Sequence, residues 1–179
     1  MKLKSTLMRV ALAASLVAAG TSMAAQVTYQ YLNQTHNELR NWAGQYANPT
    51  VYYDRAVCSQ DMTAYACGQN IQLGTRFLQQ VENSYPLAAK SVFAHEWGHS
   101  IQFRYGIYSQ APYQELQADC VSGSYTYYAE RNLGYQGLFR SAQQLAYAIG
   151  GDPTHGTGSQ RATYVRNGYN TSGNLVRCF

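Results

Sequence analysis

The sequence predicts an α+β domain, mostly helical, with one small β-sheet. Three observations predict it. Six stretches carry helical periodicity and stop at Gly, Asn or Pro signals. Two four-residue runs, at 50–53 and 70–73, have strand character. About 155 residues follow an N-terminal leader, the size of one domain with an adequate core.

The leader is expected over residues 1–24. Lys2, Lys4 and Arg9 make a positive start, and Val10 to Ala19 is apolar. Ser22-Met23-Ala24 then offers small residues at the two positions a signal peptidase reads. Cleavage after Ala24 leaves a single domain over 25–179. The uncharged run from Val10 to Ala25 is shorter than the roughly 20 residues a membrane span needs.

Tyr31 to Tyr46 reads as an amphipathic helix, with Leu32, Leu39, Trp42, Ala43 and Tyr46 on one side, ended by Asn48-Pro49. A strand at 50–53, a loop from Cys58 to Cys67 and a second strand at 70–73 follow. A short helix from Thr75 to Asn83 stops before Pro86. Leu87 to Tyr105 is the main helix, closed by Gly106. Pro112 opens the next helix, which runs to about Arg131 and stops at Asn132-Leu133-Gly134. Gly137 to Ile149 is a further helix. Thr157-Gly158-Ser159-Gln160 looks like a capping box for a last helix ending near Gly168.

The full chain holds 13 Lys plus Arg and 9 Asp plus Glu. Without the leader the balance is near +1, so the net charge points to no nucleic-acid or anionic-membrane partner. Seventeen Tyr and few charges suit a compact exported protein, periplasmic or secreted. Four Cys in such a chain suggest two disulfides, with three pairings possible. Proximity around a turn-like segment favours Cys58–Cys67, which leaves Cys120–Cys178.

The main helix carries His95-Glu96-Trp97-Gly98-His99, an H-E-x-x-H pattern. Four residues is just over one turn, so both imidazoles emerge on one face and can grip one zinc ion. Zinc needs at least a third protein ligand, and Glu115 is the best candidate. It begins Glu115-Leu116-Gln117-Ala118-Asp119, which puts two carboxylates on one helical face. Glu115 is assigned to the metal, and Asp119 to the second ring N–H of His95. Glu96 is then free to act as general base toward a water made acidic by the metal. The plain alternative for Glu115 and Asp119 is a solvated pair on a surface helix. For the whole motif it is a structural zinc site, but such sites are rich in cysteine and closed by a fourth ligand. Only His155 could supply one here.

These residues carry a resemblance. His95-Glu96-x-Gly98-His99 with Ile101-Gln102, then Glu115 to Cys120 with Gly123, then His155-Gly156-Thr157-x-x-Gln160-Arg161 resemble the bacterial neutral zinc metallopeptidases. Cys67 with Ile71-Gln72-Leu73, and Cys178-Phe179, are similar to the same pattern, so the likeness runs from about Cys58 to Phe179. Trp97 and Ser100 depart from it, beside the ligands. The resemblance implies a zincin-like fold of gluzincin type, with two His and one Glu on a single zinc. It also implies a pocket role for His155, whose imidazole would stabilise an oxyanion. Arg161 would support it or hold a substrate carboxylate. For His155 the plain alternative is a structural donor in a Gly-rich turn.

The expected activity is therefore zinc-dependent hydrolysis of peptide bonds in a peptide or unfolded protein. The alternatives are an idle zinc-binding or partner-binding module and a zinc amidase acting on cell-wall peptide. Asn70, Ile71, Gln72 and Leu73 are expected to form the edge strand above the site, where an extended peptide would pair by backbone hydrogen bonds.

Overall fold

The computed structural model describes residues 24–179; the leader reading therefore lies outside the described residues except for Ala24. Helix α1 (Tyr29–Ala43) precedes β1 (Thr50–Tyr53), β2 (Ala64–Cys67) and β3 (Asn70–Leu73). Then come α2 (Thr75–Ser84), α3 (Ala88–Tyr105), α4 (Tyr113–Tyr128), α5 (Leu138–Ala148) and α6 (Gly158–Tyr169). The fold is α+β, mostly helical, with one three-stranded mixed sheet. No helix among the described residues is long and apolar enough to cross a membrane.

Helix α3 is the axis of the fold. It packs on α1, the sheet, α2, α4 and α5, so its burial runs nearly all the way round. Phe93, Ala94, Trp97 and Ile101 enter the main core with Leu32 and Leu39 of α1 and Ile71 and Leu73 of β3. Trp97 thus faces the core rather than the pocket. It packs at a tilt against His36 of α1, with ring centroids 5.6 Å apart. A buried polar knot ties the same helices together. Lys90 Nζ donates to Thr35 Oγ1 at 2.9 Å and to Glu38 Oε2 at 2.8 Å. Tyr125 of α4 donates to the same Glu38 oxygen at 2.9 Å.

Two close helix crossings position the site. A Cβ on Gly98 would stand 3.0 Å from the Ala118 Cα, so α3 and α4 nearly touch midway along the motif. A Cβ on Gly123 would stand 1.9 Å from the Val165 carbonyl oxygen, which brings α6 equally close to α4. The capping box of α6 is present: Gln160 N donates to Thr157 Oγ1 and Thr157 N donates to Gln160 Oε1.

The sheet corrects one expectation. Its order is β1-β3-β2, with β1 parallel and β2 antiparallel to β3. Asn70, Ile71, Gln72 and Leu73 therefore form the middle strand, with a ladder on each side, and have no free edge for a peptide. The edge on the site's side is β2, within the segment expected to be all loop. Gln72 is also engaged: its Oε1 accepts from the backbone N–H of Val57, Cys58 and Ser59 at 2.8, 3.0 and 3.2 Å. Its amide nitrogen donates to the Asp61 carbonyl at 2.7 Å, so it moulds the loop below β2.

The disulfides join Cys58 to Cys67 and Cys120 to Cys178. The first pins that loop to the end of β2. The second ties the C-terminal 3₁₀ turn, Leu175–Cys178, to α4. Two disulfides are the mark of an oxidising compartment. Helix α4 also ends sooner than expected, passing into a π-helical turn, Ala129–Leu133, before Gly134.

Candidate metal centre

His95 and His99 stand one turn apart on α3, and Glu115 reaches them from the first turn of α4. His95 Nε2 lies 3.1 Å from His99 Nε2 and 3.2 Å from Glu115 Oε2. His99 Nε2 lies 3.4 Å from Glu115 Oε1. The group can hold a metal ion. A tetrahedral ion with bonds of about 2.0–2.1 Å sets its ligand atoms roughly 3.3 Å apart, so the spacing fits.

The outer hydrogen bonds make this more than proximity. Arg161 donates to Asp119 through Nε and Nη2, both at 2.8 Å, which holds Asp119 as a carboxylate. Burial opposes that charge, but the Arg161 and His95 bonds outweigh it and keep its pKa below the ordinary range. Asp119 Oδ1 faces His95 Nδ1 at 2.9 Å, so Nδ1 carries the proton. Gln102 does the same for His99. Its amide nitrogen donates to the Gln114 carbonyl at 2.8 Å and to Gln117 Oε1 at 3.2 Å. This turns Gln102 Oε1 toward His99 Nδ1, 2.8 Å away, which must donate. In the neutral rings both Nε2 atoms then present lone pairs to each other and to a carboxylate. Three acceptors at such distances repel unless a cation sits among them. Burial opposes a positive charge on His95, yet Asp119 and Glu115 outweigh it and push its pKa up to about 10.

Glu96 is 7 % exposed and lines the same cleft. Burial raises its pKa, against the opposing pull of His95 and His99. The cleft has a volume of about 430 Å³. Beyond the ligands its walls are Phe77 and Val81 of α2, Val92 of α3, and Leu145 and Ala146 of α5, with Thr63 to Ala66 along the β2 edge. One end is thus strongly apolar.

Arg161 lines the cleft, and its recorded bonds run to Asp119. It is 5 % exposed and two of its nitrogens donate to Asp119, which in turn faces His95. The crossing at Gly123 explains this, because Asp119 and Arg161 lie one turn before Gly123 and Val165 on their respective helices. His155 lies at the cleft rim in an exposed turn. Its Nδ1 is 2.8 Å from Asp152 Oδ2 and its backbone N–H donates to Asp152 Oδ1 at 2.8 Å. His155 is not among the three converging donors. Gln102 was missed as a functional side chain; its position three residues after His99, on the same helical face, was the available signal.

No family model matches the chain, and no solved structure matches it. Uncharacterized proteins of Mycobacterium bovis and Mycobacterium tuberculosis are each 28% identical to it over 155 residues, covering 64% of this chain and 50% of theirs. The chain spans about half the length of the curated relatives it matches.

Proposed function

We propose that this chain is a zinc-dependent peptidase of an oxidising, extracytoplasmic compartment. The observation that carries the reading is the convergence of two imidazole Nε2 atoms and the Glu115 carboxylate within 3.4 Å, beside a buried carboxylate that takes no part in the cluster. Two nitrogens and one carboxylate oxygen form a donor set that suits zinc, with a position left over for substrate. A bound zinc ion supplies Lewis acidity, which polarises a carbonyl and eases the deprotonation of water.

His95, His99 and Glu115 would hold the ion. Asp119 and Gln102 fix which ring nitrogens face it, and Arg161 fixes Asp119. Glu96 takes the proton from the attacking water and passes it to the leaving amine, as a general base and then acid. A substrate in extended form adds to the free edge of β2. A bulky apolar side chain fits the end of the cleft between α2 and α5. The sequence resemblance to bacterial neutral zinc metallopeptidases supports the same reading.

The test is a mass-spectrometric cleavage screen. The protein and its Glu96→Gln variant, with matched zinc content, are incubated with a complex peptide library. We expect cuts by the parent alone, stopped by a chelator, while Glu96→Gln keeps its zinc. His99→Ala should lose both zinc and activity. No cuts by zinc-loaded parent would overturn the peptidase reading, in favour of an idle binding module or a cell-wall amidase.

A further inference from the structure

A further buried carboxylate, like Glu38, lies away from the cleft lining. Glu82, near the end of α2, is fully buried. Among the described residues no Lys, Arg or His nitrogen forms an ion pair with it. All four of its recorded partners are uncharged. Its Oε1 accepts from Leu87 N at 2.7 Å and from Ala25 N at 3.4 Å. Its Oε2 accepts from Ala89 N at 3.2 Å and from the Tyr31 hydroxyl at 3.5 Å.

Two of these partners start the metal-binding helix. Leu87 caps α3 with φ of 71°, a left-handed backbone that a branched side chain adopts only when held there. Ala89 sits in its first turn. Glu82 therefore fixes the entry into the helix that carries His95, Glu96 and His99. A buried carboxylate without an ion-pair partner is costly, and the fold places one at the start of α3; Lys90 feels its charge but is bonded to Thr35 and Glu38 instead.

The third partner is the residue that the leader pattern makes the new N-terminus. The segment before α1 is laid along α2 by Gln79, whose Oε1 accepts from Val27 N at 2.7 Å and whose Nε2 donates to Ala25 O at 3.2 Å. This seats the nitrogen of Ala25 against Glu82. Ser22-Met23-Ala24 precedes it, with small residues where a signal peptidase needs them.

We propose that the chain is cut between Ala24 and Ala25 and that the freed α-ammonium docks on Glu82, completing the clamp that starts α3. Hydrolysis consumes one water, leaves a carboxylate on Ala24, and gives Ala25 an amine that takes up a proton. The amide donor, held so far only by the charge of the carboxylate, becomes an ammonium, and the contact becomes an ion pair with charge on both partners. Leader removal thus supplies a direct ion-pair partner, which Glu82 lacks among the described residues. The precursor has only an amide at that point. The inference stands whether or not the cleft is a peptidase.

The experiment begins with the full chain exported from a bacterial host. Intact mass and N-terminal sequencing should give a protein of residues 25–179. A start at any other residue overturns the proposal. Thermal unfolding is then compared for four forms: the Ala25 protein, the same with one Gly before Ala25, Glu82→Gln, and both changes together. The added Gly should lower Tm by about 3 °C or more. It should also raise amide exchange at Leu87 to Val92, and it should do neither in the Glu82→Gln background. Equal Tm and equal exchange for the first two forms would overturn it. That pair alone decides the matter if Glu82→Gln fails to fold.

Discussion

Replacing Arg161 by Met tests the argument about outer hydrogen bonds most directly. The change removes two bonds of 2.8 Å to Asp119 and leaves a carboxylate that is 3 % exposed with His95 as its remaining recorded partner. A hydrogen bond to a charged group contributes about 1.5–3 kcal/mol, and two give about 3–6 kcal/mol. Breaking a buried pair from one side costs about 3–5 kcal/mol, so the two routes agree near the lower half of that range. For a domain of this size the loss should lower Tm by about 10 °C. Urea unfolding in the presence of a chelator measures it without any contribution from metal. The second readout is metal affinity of the folded variant, by competition with a chromophoric chelator. Loss of an outer-shell partner should weaken binding about 10- to 100-fold. Arg161→Lys should fall between, since it keeps the charge but loses the fork that spans both Asp119 oxygens. An Arg161→Met protein as stable as the parent, with the same metal affinity, would refute the reasoning. A variant that is unstable yet binds metal normally would reduce Arg161 to a structural role.

Three further outcomes are expected. Ala146→Phe fills the apolar end of the cleft, so cleavage at bulky apolar residues should fall while cleavage at small ones persists; an unchanged profile of cut sites would remove that wall from substrate binding. Gly123→Ala puts a methyl 1.9 Å from the Val165 carbonyl oxygen and should cost about 1–3 kcal/mol or more, read as a lower urea midpoint; an equal midpoint would contradict the close crossing of α4 and α6. Burial alone would raise the pKa of Glu38, but bonds from Lys90, Tyr135 and Tyr125 outweigh it and hold the pKa below the ordinary value of about 4.3. Its contribution is therefore present above that ordinary value and lost as pH falls through the lower folded one. Melting curves of Glu38→Gln should show less stability at neutral pH and a shallower decline in acid, whereas parallel pH profiles would exclude this carboxylate from acid lability.

The sequence reveals what depends on spacing along one helix. His95 and His99 share a face because they are one turn apart, and Glu115 and Asp119 do so for the same reason. The inward direction of Trp97 was not read, although two positions from His95 is about 200° around the helix. What depends on contact between distant segments was not legible. Ala64 to Cys67 is poor in branched residues and becomes a strand because β3 lies beside it. The same hidden pairing turns Asn70 to Leu73 from an edge into a centre. Arg161 meets Asp119 from 42 residues away, through a helix crossing set by glycines whose closeness no local pattern announces.

The link from Cys120 to Cys178 has a consequence in time rather than in space. Its sequence separation is 58 residues, and the enclosed stretch holds α5, α6, His155 and Arg161, one whole flank of the cleft. Closing a loop of that length restricts the unfolded chain by roughly 4 kcal/mol on the chain-entropy account. In a reducing compartment that contribution is missing, and the flank holds to α4 only by packing and by hydrogen bonds such as those of Arg161 to Asp119. Oxidation then does for the C-terminal half what no side chain in the cleft does. It makes the finished site a product of the place the chain has reached, and not only of the order of its residues.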